Sequence, residues 1–112
     1  MKKKKIIITG SAGLVGFNLL TQLDPKKYDV IAIDQNKHNI EISKKLFPEF
    51  KSVVADVSKS GKWQKLFKDA DCVVQLQAQI SHVKKQPYIK NNIVSVKKVL
   101  ETCKKYKIKN LI

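Results

Sequence analysis

Thr9-Gly10-Ser11-Ala12-Gly13-Leu14-Val15-Gly16 holds three of the chain's four glycines in one register, with two residues between each pair. The apolar run Ile6-Ile7-Ile8 leads into it, and an amphipathic run from Leu14 to Leu23 leaves it. A junction of this kind dictates a strand, a sharp turn and a helix, because each glycine answers a separate steric demand. Gly10 is able to take the positive φ that such a turn requires. Gly13 offers main chain without a Cβ, so a group outside the chain approaches closely. Gly16, one helical turn on, lets the helix lie tight against the strand.

The chemistry follows from the geometry. A helix N-terminus at the end of a strand presents free N–H groups and roughly half a positive charge. Hydrogen bonds to an ionised acceptor are worth about 1.5–3 kcal/mol each, so two or three hold a diphosphate without any lysine. The next apolar strand, Val30 to Ile33, closes on Asp34. A carboxylate there accepts from both hydroxyls of an adenosine ribose and repels a 2′-phosphate. The pattern therefore reads as a dinucleotide site that prefers NAD to NADP. It carries two structural expectations: the amides at the bend are not capped by the protein, and the Asp34 side chain turns toward the crevice.

Composition bounds the rest. The chain has 112 residues and 43% hydrophobic content, enough for the core of one small domain. No apolar run approaches the ~20 residues of a membrane span. The basic start, Lys2 to Lys5, is followed only by Ile6 to Ile8 before the loop, short of the ~7-residue core of a signal peptide. A cytoplasmic protein is expected. Cys72 and Cys103 lack metal-type spacing and read as two buried thiols in a reducing compartment, and no metal ligand is assigned. The net charge of +14 raises the question of nucleic acid, yet all 23 basic residues are lysine. Base readout and bidentate phosphate clamps use arginine heavily. The lysines are dispersed from Lys2 to Lys109 between apolar positions, which marks solvated faces. No specific nucleic-acid site follows, only a salt-sensitive attraction to polyanions.

Along the chain, apolar runs alternate between strand-like and helix-like, the pattern of a parallel sheet with helices on its faces. Strands are expected at Lys5–Thr9, Asp29–Ile33, Lys51–Ala55 and Asp71–Leu76, with a fifth opening at Asn110-Leu111-Ile112. Helices are expected at Leu14–Leu23, stopped by Asp24-Pro25, and at Asn39–Leu46. Another follows Gly61 with Trp63, Leu66 and Phe67 inward. A long one runs from Pro87 or Tyr88 to Tyr106, its apolar stripe formed by Ile89, Ile93, Val96, Val99, Leu100 and Cys103. The expected fold is α/β, a Rossmann-type doubly wound parallel sheet of about 4–5 strands, incomplete because the chain stops as its fifth strand opens. Residues 1–112 are thus expected to be the N-terminal part of a dinucleotide-binding domain, with an exposed face and an open edge that invite association.

These residues resemble the extended short-chain dehydrogenase/reductases, the NAD-dependent epimerase/dehydratase family, over essentially the whole chain. The segment from Thr9 to Gly16 fits that family's T-G-x-x-G-x-x-G loop at every fixed position. The resemblance implies cofactor contacts from Gly10, Ser11, Ala12, Gly13, Leu14, Val15 and Gly16, with Asp34 on the adenosine ribose. Seen alone, Asp56 is a turn residue at a strand end; the resemblance gives it the adenine amino group and gives Val57 the ring face. The family's H-L-A-A at the end of strand four is Gln75-Leu76-Gln77-Ala78 here. Leu76 and Ala78 keep the pattern, Gln75 and Gln77 depart from it, and Leu76, Gln77 and Ala78 are implied contacts beside the cofactor. Tyr88 and Asn92 fit the helix signature Y-x-x-x-N, although the glycine and threonine that usually follow are Ser95 and Val96. Asn92 is read either as a contact to the cofactor or as a helix residue bonded to a neighbouring loop.

The family's catalysis uses a Ser or Thr past strand five and a Tyr and Lys four residues apart, the lysine lowering the tyrosine pKa. None of these is found in the sequence: neither Tyr28 nor Tyr106 has Lys at the fourth position after it. No catalytic residue is assigned. His82, beside Ser81, and His38 read as surface residues. The resemblance implies the NAD-binding part of a nucleotide-sugar epimerase/dehydratase-type oxidoreductase. In the full-length parent, hydride would pass from a sugar carbon to NAD and return after rearrangement. Its partners would be a nucleotide sugar and a second copy in a homo-oligomer. The missing catalytic segment keeps a second reading in view, a non-catalytic nucleotide-binding module or truncated remnant.

Overall fold

In the computed structural model, which describes residues 2–76 and 93–112, four parallel strands lie in the order β3-β2-β1-β4. They are β1 (Lys4–Thr9), β2 (Tyr28–Asp34), β3 (Lys51–Val54) and β4 (Cys72–Gln75). The α-helices are α1 (Leu14–Gln22), α2 (Lys37–Leu46) and α3 (Ser95–Lys105), and a 3-10 helix spans Lys62–Phe67. The doubly wound α/β class expected from the sequence is what the chain adopts.

Burial explains the register. In β2, Val30 to Ile33 are all buried, as a central strand covered on both faces must be. Alternate residues part to opposite sides. Ile8, Val30 and Ala32 meet Leu20 and Phe50 on the side of α1 and α2. Ile7, Ile31, Ile33 and Val73 meet Trp63, Phe67, Val99 and Cys103 on the other. Pairings such as Ile7↔Ile31 and Ile7↔Val73 keep each set on its own face. Beyond β4, Leu111 bridges Val73 in parallel, and the Val73 N–H donates to the Asn110 carbonyl at 2.9 Å. The chain end thus lies where a fifth strand was expected.

The helix expected after Gly61 is of the 3-10 type. It buries Trp63 and Phe67 as expected, their rings edge to face at 5.4 Å. Six residues cover about 12 Å at the 3-10 rise of ~2.0 Å, against about 9 Å as α-helix. That extra reach suits a short connection that must cross the sheet. The Trp63 indole N–H is also tied back to the Lys59 carbonyl at 2.8 Å. In α3 the buried face is Ser95, Val99, Thr102 and Cys103. Ile93 is 56% exposed and Leu100 46% exposed, so the expected apolar stripe is split between two faces. Thr102 tolerates burial because its hydroxyl donates to the Lys98 carbonyl at 2.8 Å and accepts from Gln64 at 3.1 Å. Ile93 and Val94 form a π-type turn ahead of α3. The expected helix start near Pro87, and Ile89, lie outside the described residues.

Both thiols are free, Cys103 buried and Cys72 half-buried. Burial, followed by the neighbouring Asp71 charge, pushes the Cys72 thiol up; burial, followed by Cys72, does the same for Cys103. No helix among the described residues is long and apolar enough to cross a membrane.

Candidate functional site

Strand order fixes where a ligand can sit. From β1 the chain winds outward through β2 to β3, then returns to place β4 on the other side of β1. The crevice of such a sheet opens at the carboxyl ends of its strands, where the winding reverses. A cavity of about 360 Å³ lies there. Gly10, Ala12 and Gly13 line it beyond β1, and Ile33, Asp34, Gln35, Asn36 and Asn39 beyond β2. Ala55, Asp56 and Val57 line it beyond β3, with Leu76 and Ser95 at its β4 end.

The loop is built as its glycines demand. Gly10 has φ 72, the left-handed region that costs a residue with a Cβ about 1–2 kcal/mol. Gly16 touches the loop itself: a Cβ there would stand 2.2 Å from the Ser11 carbonyl oxygen. Gly13 is the N-cap of α1, and a Cβ on it would meet only the Gly10 oxygen at 3.7 Å. Protein packing therefore forbids a side chain at Gly16 and permits one at Gly13, facing the open cavity.

Asp34 turns toward this cavity, as expected. Its Oδ2 accepts the Ala12 N–H at 3.0 Å and its Oδ1 the Asn36 N–H at 2.9 Å. The expectation of uncapped amides fails in the loop. Ser11 N–H donates to the Ile33 carbonyl at 3.1 Å, and Gly13 N–H to the Gly10 carbonyl at 3.4 Å. With Ala12 bound to Asp34, three consecutive loop amides are occupied. The first-turn N–H groups of Leu14, Val15 and Gly16 have no intrahelical acceptor by helix geometry, and the N-cap residue, Gly13, has no side chain to cap them. These groups are what the loop offers an anion. No lysine stands among the described residues of the cavity wall, despite the charge of the chain.

The other expected residues divide. Asp56, Val57 and Leu76 join the same wall. Asp56 is fixed by its own turn, with Oδ1 accepting the Ser58 N–H at 3.0 Å and the Ser58 hydroxyl at 2.6 Å. Ser11 is wholly buried and Gly16 buried, so both stand behind the wall. Leu14 and Val15 project outward, 80% and 63% exposed. Gln77, Ala78 and Asn92 lie outside the described residues, as do Ser81 and His82. Gln35, Asn36, Asn39, Ala55 and Ser95 were not anticipated as wall residues. Asn36 had a readable signal: it caps α2, its side-chain oxygen accepting the Asn39 N–H at 3.0 Å. Asparagine is a preferred N-cap, so placing the start of α2 there would have brought that end of the helix to the edge that holds Gly13.

The parallel winding, with helices on both faces and its crevice at the strand ends, is that of a Rossmann-type α/β fold. More narrowly, the chain belongs to the NAD-dependent epimerase/dehydratase family, whose model matches residues 6–112. It is 31% identical over 116 residues to a Methanocaldococcus jannaschii protein provisionally named UDP-glucose 4-epimerase, covering 96% of this chain and 36% of that protein. The UDP-N-acetylglucosamine 4-epimerase of Methanobrevibacter ruminantium M1, solved with UDP-N-acetylmuramic acid, superimposes with a TM-score of 0.81 at 25% identity over 99% of this chain and 37% of its own. Pen from Bacillus thuringiensis shares the fold, with a TM-score of 0.89 at 17% identity over 98% of this chain and 37% of its own. The chain thus spans little more than a third of the relatives it matches.

Proposed function

We propose that this chain is the NAD-binding portion of a nucleotide-sugar epimerase/dehydratase-type oxidoreductase. The observation that carries the reading is Asp34 lining the same cavity as Gly10 and Gly13, on the side of β2. In this reading the first-turn amides of α1 take the diphosphate. Asp34 accepts from the adenosine ribose, while Val57 packs on the adenine face and Asp56 meets its amino group. Leu14, Val15, Gly16 and Ser11 shape or face that contact from the loop, and Leu76 lines it after β4; the family resemblance adds Gln77, Ala78 and Asn92, which lie outside the described residues. NAD, when bound, supplies the acceptor for a hydride from a sugar carbon.

The substrate class rests on the relatives, which are named for UDP sugars. The family's catalytic Ser or Thr and its Tyr and Lys have no counterpart in these 112 residues. In this reading turnover is a property of a longer protein of the family, cytoplasmic and homo-oligomeric. The same absence keeps the second reading, a non-catalytic nucleotide-binding module. Calorimetric titration tests the cofactor reading. NAD is expected to bind at least ~10-fold more tightly than NADP, a difference of about 1.4 kcal/mol, and Gly13→Val is expected to abolish binding. Equal affinity for the two cofactors, or a Gly13→Val variant that binds as the parent does, removes the basis of the proposal.

A further inference from the structure

Asp34 is bonded on both sides before any ligand arrives. One carboxylate oxygen accepts from Ala12 in the loop after β1, the other from Asn36 at the head of α2. Of the three consecutive loop amides, Ser11 and Gly13 are held by main-chain carbonyls, and Ala12 is held by this side chain. Ala12 is 5% exposed, so its amide has little water to turn to. An ionised carboxylate has about four acceptor positions. Two main-chain bonds therefore leave Asp34 acceptor capacity toward the cavity that it also lines.

From this geometry we infer that Asp34 is a positioning residue for the phosphate-binding bend as well as a sugar ligand. It latches the loop to the start of α2, so cofactor selection and loop shape depend on one side chain. The inference rests on the dinucleotide reading above and goes beyond it in one consequence. A site that is to accept a 2′-phosphate must lose its carboxylate, and losing this one releases the Ala12 amide. A single neutral or basic substitution at this position will not convert the protein to NADP; it will weaken every diphosphate ligand.

Inorganic pyrophosphate separates the two roles because it has no ribose. If Asp34 served only the sugar, removing its negative charge would leave pyrophosphate binding unchanged or strengthen it. If Asp34 is the latch, binding weakens. Pyrophosphate is to be titrated by amide chemical shifts into the parent, Asp34→Ala and Asp34→Asn proteins, with hydrogen exchange at the Ala12 amide measured alongside. The expected result for Asp34→Ala is at least a fivefold loss of pyrophosphate affinity and at least tenfold faster Ala12 exchange. Asp34→Asn keeps one acceptor oxygen and is expected to fall between, which preserves the test should the alanine variant unfold. Pyrophosphate affinity at or above that of the parent, or Ala12 exchange unchanged in the variants, overturns the latch. A parent protein that binds neither NAD nor pyrophosphate instead defeats the cofactor reading, while the exchange rates still decide whether the latch exists.

Discussion

Gly13 and Gly16 stand one helical turn apart, and a methyl group added to each would separate binding from folding. At Gly16 a Cβ would lie 2.2 Å from the Ser11 carbonyl oxygen and 2.7 Å from Ser11 Cα, main-chain atoms that cannot swing aside. Overpacking of this kind costs about 1–3 kcal/mol or more. Gly16→Ala is expected to lower the melting temperature by roughly 5 °C or more. At Gly13 the space is free and φ is −83°, ordinary for any residue. Gly13→Ala is expected to melt within about 2 °C of the parent while losing about tenfold or more in NAD affinity. Circular dichroism and calorimetry on the pair check both; a Gly13→Ala protein that melts early assigns that glycine to folding instead. Ser11 makes the opposite case. Its hydroxyl is fully buried with no hydrogen-bond partner among the described residues, a state that costs about 1–3 kcal/mol. Ser11→Ala is expected to raise stability by about 1 kcal/mol in urea unfolding, and a less stable variant would contradict this. The roles of Gly10 and Gly16 were legible in the sequence because local spacing sets them. The occupied amide of Ala12 was not, since its partner lies 22 residues away and arrives only when β1 and β2 pair.

Among the elements, α3 shows how much a periodic pattern leaves open. Val99 and Cys103 were legible as core positions, one helical turn apart. Their buried companions are Ser95 and Thr102 rather than Ile93 and Leu100. Hydropathy could not show this, because Thr102 enters the core on hydrogen bonds to Lys98 and Gln64. The spacing after Gly61 shows a helix but not its 3-10 type, since Trp63 and Phe67 sit inward in either geometry. The end of α3 carries a testable strain. Lys107 has φ 55, and the Lys107 and Ile108 N–H groups bond back to the Lys104 and Cys103 carbonyls. That is a Schellman closure with lysine where glycine is favoured. Lys107→Gly should stabilise the protein by about 0.5–1 kcal/mol, the relief of left-handed strain less the added freedom of the unfolded chain. Urea unfolding midpoints check the sign, and a drop would show that the lysine side chain contributes more than its backbone costs.

For the molecule as a whole, alkaline pH is the sensitive direction. Both thiols are raised from an ordinary value of 9.0, chiefly by burial. The folded state therefore holds its thiol protons to higher pH than the unfolded chain does. Their stabilising effect is complete below the unfolded pKa and is lost as pH rises through the folded values. Urea midpoints are expected to fall above pH 9, and to fall less in a Cys72→Ala, Cys103→Ala double variant; equal losses would assign the decline to other groups. The sheet topology was legible at this scale because the βαβ rhythm leaves few windings. The extent of the cavity wall was not, since it draws on the tips of all four strands. β1 holds the middle of that sheet, with Ile6 to Thr9 paired to Val30–Ile33 on one side and to Cys72–Gln75 on the other. During synthesis the glycine motif leaves the ribosome some sixty residues ahead of its second flank. A growing chain thus displays its signature well before it owns a binding site, and any helper that guards nascent chains meets this motif as bare, unpaired polypeptide.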